Sequence, residues 1–409
     1  MTPGGPELAA HLRAALGPGP VGVAVSGGGD SVALLHLAVR AGIAVQAVTV
    51  DHGLRAEAAA EAAEVARACA ALGVPHDILR WQWDGRGNLQ DAARRARQAL
   101  IADWARGRGL GAVALAHTAD DQAETLLMEL ARRAGVDGLS GMAECRRAAG
   151  VDWLRPLLGV TRAALRGWLA AEGIGWADDP TNADPRYARV RMRRALAGLG
   201  PVGIDAAGLS AVAGHLQAAR AALAWHAEAA ARRIAGVEAG DVVIDRAALA
   251  ALPDETRRRI LRAALVWIAS AEYGPRAPAL ARAEAAALAG RAATLAGCRL
   301  LPGGPRLRIT REARAVAATV TPTDALWDGR WRFEGPHSNG LTLRALGPAG
   351  LAACPDWRAG GLPRASLLAA PAVWRGEVLV AAPLAGRPAG WRAAPLGGAD
   401  GFFSALLSH

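Results

Sequence analysis

The chain has 409 residues, 52% of them hydrophobic, with a formal net charge of +10 and a pI near 10.9. That length holds two or three domains with real cores, and the basic balance suits a polyanionic partner. All 47 residues counted as Lys+Arg are arginine, which excludes a Walker P-loop and any catalytic or Schiff-base lysine. Cys69, Cys145, Cys298 and Cys354 form no C-x-x-C pair, which argues against zinc ribbons and iron–sulfur clusters and for structural thiols.

The N-terminal stretch MTPGGPELAAHLRAALGPGP lacks a basic segment followed by a long apolar one, and no run of roughly 18 residues is free of charge. A cytoplasmic protein with no membrane attachment is expected. Val21, Val23 and Val25 predict a buried strand ending at Ser26, and Leu34, Leu35 and Leu37 begin a helical pattern. Between them lies SGGGDS, Ser26–Ser31. A strand feeding straight into a helix leaves backbone N–H groups aimed along the helix dipole, a cradle for phosphate. Gly27, Gly28 and Gly29 are expected to admit positive φ and let the backbone approach a ligand closely. Each N–H to a charged oxygen is worth roughly 1.5 to 3 kcal/mol, enough together to hold a pyrophosphate. Ser26 and Ser31 add hydroxyls, and Asp30 reads as a magnesium ligand because a bare carboxylate would repel phosphates. The competing reading is a turn that merely joins a strand to a helix; the spacing is not that of a dinucleotide fingerprint.

Further strands are expected at Val45–Asp51, His76–Trp81, Ala112–His117 and Val151–Leu157, with helices between them, including Arg55–Leu72 and Leu89–Arg106. That alternation predicts an α/β fold with a doubly wound parallel sheet, whose ligand sits beyond the carboxyl ends of the strands. Ser26, Asp51 and His117 fall at those ends. In DHGLR, Asp51, His52 and Arg55 would share the rim of the glycine turn, where Arg55 could meet a phosphate and the adjacent backbone an adenine; alone, they read as the start of a solvated helix. Asn88 is a candidate N-cap, with Arg94 and Arg97 on one helix face beyond it.

The stretch AHTADDQAET places His117, Asp121 and Glu124 at i, i+4 and i+7, within about a 60° arc of a helix. Two carboxylates and an imidazole at a strand end can hold an ammonium group, hold a metal or act as a base. Downstream, Arg186, Arg189, Arg191, Arg193 and Arg194 surround Tyr187, a pattern suited to a nucleic-acid backbone or to a solvated helix. A glycine-punctuated linker at 198–208 precedes a helical stretch from Leu209 to about Gly290. A hairpin follows at Thr294–Thr310, and from about Trp327 the chain reads as a small β-rich domain.

Taken in order, SGGGDS, DHGLR, ARRAR at Ala93–Arg97, HTADDQAET, GVDGLSGM at Gly135–Met142, RPLL at Arg155–Leu158 and DDPTN at Asp178–Asn182 resemble the tRNA(Ile)-lysidine synthetases of the PP-loop ATP pyrophosphatase superfamily. The resemblance implies a PP-loop catalytic domain over 1–200, a helical tRNA-binding domain over 209–312 and a small β-rich tRNA-binding domain over 325–409. It implies ATP-dependent adenylation of the carbon-2 oxygen of the first anticodon cytidine of tRNA(Ile) (CAU). Attack by free lysine then gives lysidine with release of AMP, in the cytoplasm. Carried over residue by residue, ATP would lie on Ser26, Gly27, Gly28, Gly29, Asp30, Ser31, Asp51, His52 and Arg55, with Mg2+ on Asp30. Lysine would meet Arg97, His117, Asp121 and Glu124, which with Asp30 form the catalytic set. The tRNA would meet Arg94, Arg189, Arg191, Arg193 and Arg194. Gln98 and Val190 depart from the family's tyrosine and asparagine. A homodimer is left open, and the alternative is another PP-loop tRNA enzyme such as a thiolase, against which the cysteine spacing argues.

Overall fold

Alternation along one short strand sets the plan of the first half of the chain. The structure, a computed structural model, describes residues 4–53, 58–83, 85, 89–177 and 186–407. It divides into two compact units, 1–220 and 221–409. In the first, the order is α1 (Gly5–Leu16), β1 (Val21–Ala24), α2 (Gly29–Arg40), β2 (Val45–Asp51), α3 (Ala58–Ala71), β3 (His76–Arg80) and α4 (Leu89–Gly107). Then come β4 (Ala112–Ala114), α5 (Ala119–Ala131), α6 (Val136–Leu139), β5 (Cys145–Ala148), β6 (Val151–Leu154), α7 (Arg162–Ala171) and α8 (Ala188–Leu199).

Val21, Val23 and Val25 pack on one side with Leu8, Leu34, Leu37 and Leu165, which belong to α1, α2 and α7. The other side of the sheet, with Val48, Val113 and Val151, packs on Ile101 and Trp104 of α4. At Gly22 a Cβ would come within 2.8 Å of the Trp104 ring, so the strand must carry a glycine there. Each fully buried leucine of α2 contributes roughly 2 kcal/mol, so packing along its flank holds the helix and leaves its first turn to face a ligand.

The six-stranded sheet runs β3-β2-β1-β4-β6-β5, parallel throughout except at its last strand. The chain moves outward from β1 to β3 on one side and resumes at β4 on the other. That reversal splays the loops after β1 and β4 into a crevice. The antiparallel edge strand β5, CRRA, carries no apolar alternation, so sequence reading passes over it. It is formed by a tight turn in which Ala149 and Gly150 both have positive φ, the geometry of a two-residue hairpin.

In the second unit, helices Asp254–Ala269 and Ala277–Leu288 pack in one core with a five-stranded antiparallel sheet. The expected hairpin within Thr294–Thr310 supplies strands Cys298–Gly303 and Arg306–Arg311. Strands Ala235–Glu238 and Asp241–Asp245 interrupt the stretch read as helical. Val242, Val243 and Ile244 favour a strand, and Ala239 and Gly240 turn the chain at positive φ. Toward the C-terminus a four-stranded and a two-stranded sheet form the β-rich part. The final helix, Asp400–Leu407, buries Phe402, Phe403 and Leu406 in the same core as Leu265 and Ile309. Among the described residues no single helix is long and apolar enough to cross a membrane; one helix pair reaches that length and hydropathy but is bent by 100°.

Candidate active site

Beyond the carboxyl ends of β1, β2 and β4 lies a cleft of about 600 Å³. The glycine turn forms one part of its wall, with Ser26, Gly28, Gly29, Asp30 and Ser31 lining it. Ser31 Oγ donates to Gly28 O (2.8 Å) and accepts from Ser26 N (3.1 Å), which ties the turn together where the first residues of α2 line the cleft. Of the three glycines only Gly27 takes positive φ, at 86°. Its carbonyl accepts from Ala177 N (3.0 Å), and at Gly29 a Cβ would come 3.3 Å from the Trp176 ring. The third glycine therefore answers to close packing against Trp176 and not to an unusual φ.

Asp51 and His52 line the cleft at the end of β2, where Asp51 Oδ1 accepts from Gly53 N (2.9 Å) and His52 stands edge-on to Trp81. Arg55, Asn88 and the DDPTN stretch lie outside the described residues. Arg97 of α4 also lines the cleft; desolvation and the charges of Arg94 and Arg189 lower its pKa without discharging it. Arg94 is exposed.

His117 and Asp121 line the same cleft, but the expected helical arc is corrected at its first member. Thr118, in extended conformation, is the N-cap of α5, so His117 precedes the helix. Thr118 N and Oγ1 both donate to Asp121 Oδ2 at 2.9 Å, a reciprocal cap that ties the carboxylate to the start of its own helix. Burial pushes the Asp121 pKa up, yet the Thr118 bonds and the Arg162 charge outweigh it and leave the group more acidic than an ordinary aspartate. Glu124, one turn on, is fully buried. Its Oε1 accepts from Arg193 Nε (2.9 Å), and burial raises its pKa. Two neighbouring carboxylates are thus driven apart in acidity.

Burial lowers His117 to about 4, against the attraction of Asp121, so the ring is neutral near pH 7. An unfolded chain takes up this proton near 6.5, before the folded one does. Stability is therefore lost as pH falls from about 6.5 toward 4, by at most about 3 kcal/mol. Urea denaturation at pH 7 and pH 5 is expected to show a smaller pH-dependent loss in His117→Gln than in the parent.

The centre of the cluster is a residue that sequence reasoning missed. Arg162, at the start of α7, donates from Nε to Asp30 Oδ2 (2.9 Å) and from Nη2 to Asp121 Oδ1 (3.4 Å). Its Nη1 lies 3.7 Å from Glu124 Oε1, and its backbone N–H donates to Asp120 Oδ2 (2.7 Å). A cation in the first turn of a helix opposes the dipole, and that local conflict in VTRAAL was the signal that acids wait for it. Asp30, whose pKa desolvation raises against the pull of Arg162, has its Oδ1 buried with no hydrogen-bond partner among the described residues; so has Glu124 Oε2. Such orphaned carboxylate oxygens suit incoming cations.

The arginine run on α8 divides in two by position. Arg189 and Arg193, one turn apart, line the cleft, with Arg189 Nη1 4.0 Å from Asp121 Oδ1. Arg191 and Arg194 are exposed. The GVDGLSGM loop is held by Gln122, whose side chain exchanges two hydrogen bonds with the backbone of Met142, and by Gln217, which donates to Ser140 O and Met142 O. Arg155 of RPLL is buried and donates to Ala143 O (2.8 Å). These motifs support the site without lining it.

A strand, a glycine turn closing on a helix N-terminus and a cleft at the sheet's reversal define an ATP-binding PP-loop domain, and residues 8–199 match the family model described as PP-loop domain. The whole chain is 52% identical over 417 aligned positions to a tRNA(Ile)-lysidine synthase of Ruegeria pomeroyi, covering 100% of both. A tRNA(Ile)-lysidine synthase of Methylobacterium nodulans is 44% identical over 277 residues, 66% of this chain and 82% of that protein. The chain belongs to the tRNA(Ile)-lysidine synthase family. Among solved structures, a U34-tRNA thiolase of Methanococcus maripaludis with its 4Fe-4S cluster superposes with a TM-score of 0.45 at 14% identity, covering 52% of this chain and 78% of that one.

Proposed function

We propose that this chain uses ATP to adenylate the carbon-2 oxygen of the first anticodon cytidine of tRNA(Ile) (CAU), and then joins free lysine to that carbon. The observation that carries the reading is one cleft lined by both the glycine turn and the acids Asp30 and Asp121, with Asp30 Oδ1 orphaned and Glu124 buried behind Arg193, which lines the cleft. Ser26 to Ser31 hold the pyrophosphate portion of ATP against the α2 N-terminus. The cytidine oxygen attacks the α-phosphorus and pyrophosphate leaves; the lysine amine then attacks carbon 2 and AMP leaves with the oxygen. Asp121, kept acidic, stays ionised beside the incoming ammonium. Glu124, with its raised pKa, takes the proton that frees the amine for attack.

Asp30 is the residue to hold Mg2+. Its Oδ1, buried without a hydrogen-bond partner among the described residues, would hold the ion together with substrate phosphates. When bound, such an ion neutralises developing phosphate charge.

The exposed Arg191 and Arg194, with residues 209–312 and 325–409, are assigned to the tRNA. Arg191→Ala and Arg194→Ala should weaken tRNA binding and flatten its salt dependence by about 0.7 to 0.9 per lost phosphate contact. Arg193→Ala should leave that slope unchanged and raise the lysine requirement instead, because Arg193 holds Glu124. Filter binding across a salt series reads the slopes, and incorporation at varied lysine concentration reads the lysine requirement. The protein is taken to act in the cytoplasm, and sedimentation velocity decides whether it does so as a homodimer.

The decisive experiment supplies radiolabelled lysine, ATP and Mg2+ to a tRNA(Ile) transcript with a CAU anticodon, beside the elongator methionine tRNA with the same anticodon. Label in the isoleucine tRNA alone is expected. AMP release with a sulfur donor, and no lysine incorporated, would replace this reading with a thiolase.

A further inference from the structure

Arg162 is shared between two ends of the cleft that handle opposite charges. Its shortest side-chain bond, 2.9 Å, goes to Asp30 at the glycine turn, and the rest of its guanidinium faces Asp121 and Glu124. The backbone N–H is pinned by Asp120, which fixes the start of the side chain and leaves the guanidinium to choose its partners. While it stays among the acids, it cancels charge that an ammonium would need and repels one that approaches. Phosphates entering the cleft offer the same planar donors a more highly charged acceptor. A guanidinium drawn to them leaves Asp121 and Glu124 with charge to spare.

We propose that Arg162 is a positioning residue that couples the two ligands: it withholds the acid pair from an amine until nucleotide phosphates draw its guanidinium away. The inference rests on the assignment of ATP and lysine above. Nucleotide then tightens lysine binding, and by linkage lysine tightens nucleotide binding by the same factor.

The test is calorimetry of lysine binding to the full chain, without and with the α,β-methylene analogue of ATP and Mg2+. For the parent protein the analogue is expected to tighten lysine about ten-fold, within the usual range of coupling between sites. In Arg162→Gln lysine should bind without nucleotide about as tightly as the parent does with it, and the analogue should add less than about two-fold. Arg162→Lys keeps a cation but not the planar fork. It should bind lysine weakly without nucleotide and show less coupling than the parent, and it carries the test if Arg162→Gln does not fold. A merely structural staple between α5 and α7 would make both variants alike and leave the coupling intact where they fold. Parent-level coupling in either variant, or a parent that incorporates lysine into tRNA with no nucleotide effect on lysine binding, overturns the role of Arg162. A parent that neither binds nor incorporates lysine overturns the functional reading itself.

Discussion

Asp30→Asn is expected to lower release of AMP and pyrophosphate by about 10²- to 10³-fold or more, while tRNA affinity stays within a few-fold. The asparagine amide oxygen can still accept the Arg162 Nε bond, so the tie between α2 and α7 survives and only the charge is lost. What disappears is the carboxylate whose Oδ1 is buried without a partner, the atom placed to hold a cation beside the phosphates. A pyrophosphate-release assay with saturating tRNA measures the effect. Normal AMP formation by this variant would move the metal to another residue.

Glu124→Ala is expected to destabilise the first unit by about 3 kcal/mol and to abolish lysine incorporation. The carboxylate is fully buried and pairs with Arg193 at 2.9 Å and Arg162 at 3.7 Å; truncation removes this ion pair from Arg193 and one of three neighbouring acids from Arg162. Partial solvent access at Arg193 keeps the loss toward the lower end of what breaking a buried pair entails. Glu124→Gln separates the two roles. It keeps the volume and an acceptor for Arg193, so stability should hold, but it cannot take the proton, and turnover should fall by about 10²- to 10⁴-fold. Urea denaturation of both variants, with lysine incorporation at saturating lysine, distinguishes a proton acceptor from a packing residue. Parent-like turnover in Glu124→Gln would assign the proton to another group.

Local signals carried the reading of the first unit a long way. Alternation at Val21–Val25, the leucine spacing of α2 and the β-branched run of β2 located the sheet and the glycine turn, because each records which face is buried. The side chains converging on Glu124 were not legible. Arg193 meets it across 69 residues, and Arg162 meets Asp30 across 132, and no periodicity encodes such a pairing. His117 was misplaced for a local reason: Thr118 competes for the cap, and a seven-residue spacing does not reveal where a helix starts. Strand β5 and the 235–245 hairpin lay where neighbouring composition masked short strands, although paired positive-φ turns mark both.

The meeting of Asp30, Asp121 and Glu124 on Arg162, with Arg193 behind, also bears on the order in which the chain is made. Contacts that close loops of this length form late, after the local helices and hairpins. During synthesis the glycine turn, α2 and α5 can take shape while three acids stand close together without their counter-charges. Only when residue 162, and then residue 193, has left the ribosome is that repulsion relieved. A fragment ending after β6 would hold all six strands of the sheet and is expected to be marginal, with an unbalanced cleft; one reaching residue 199 carries both counter-charges.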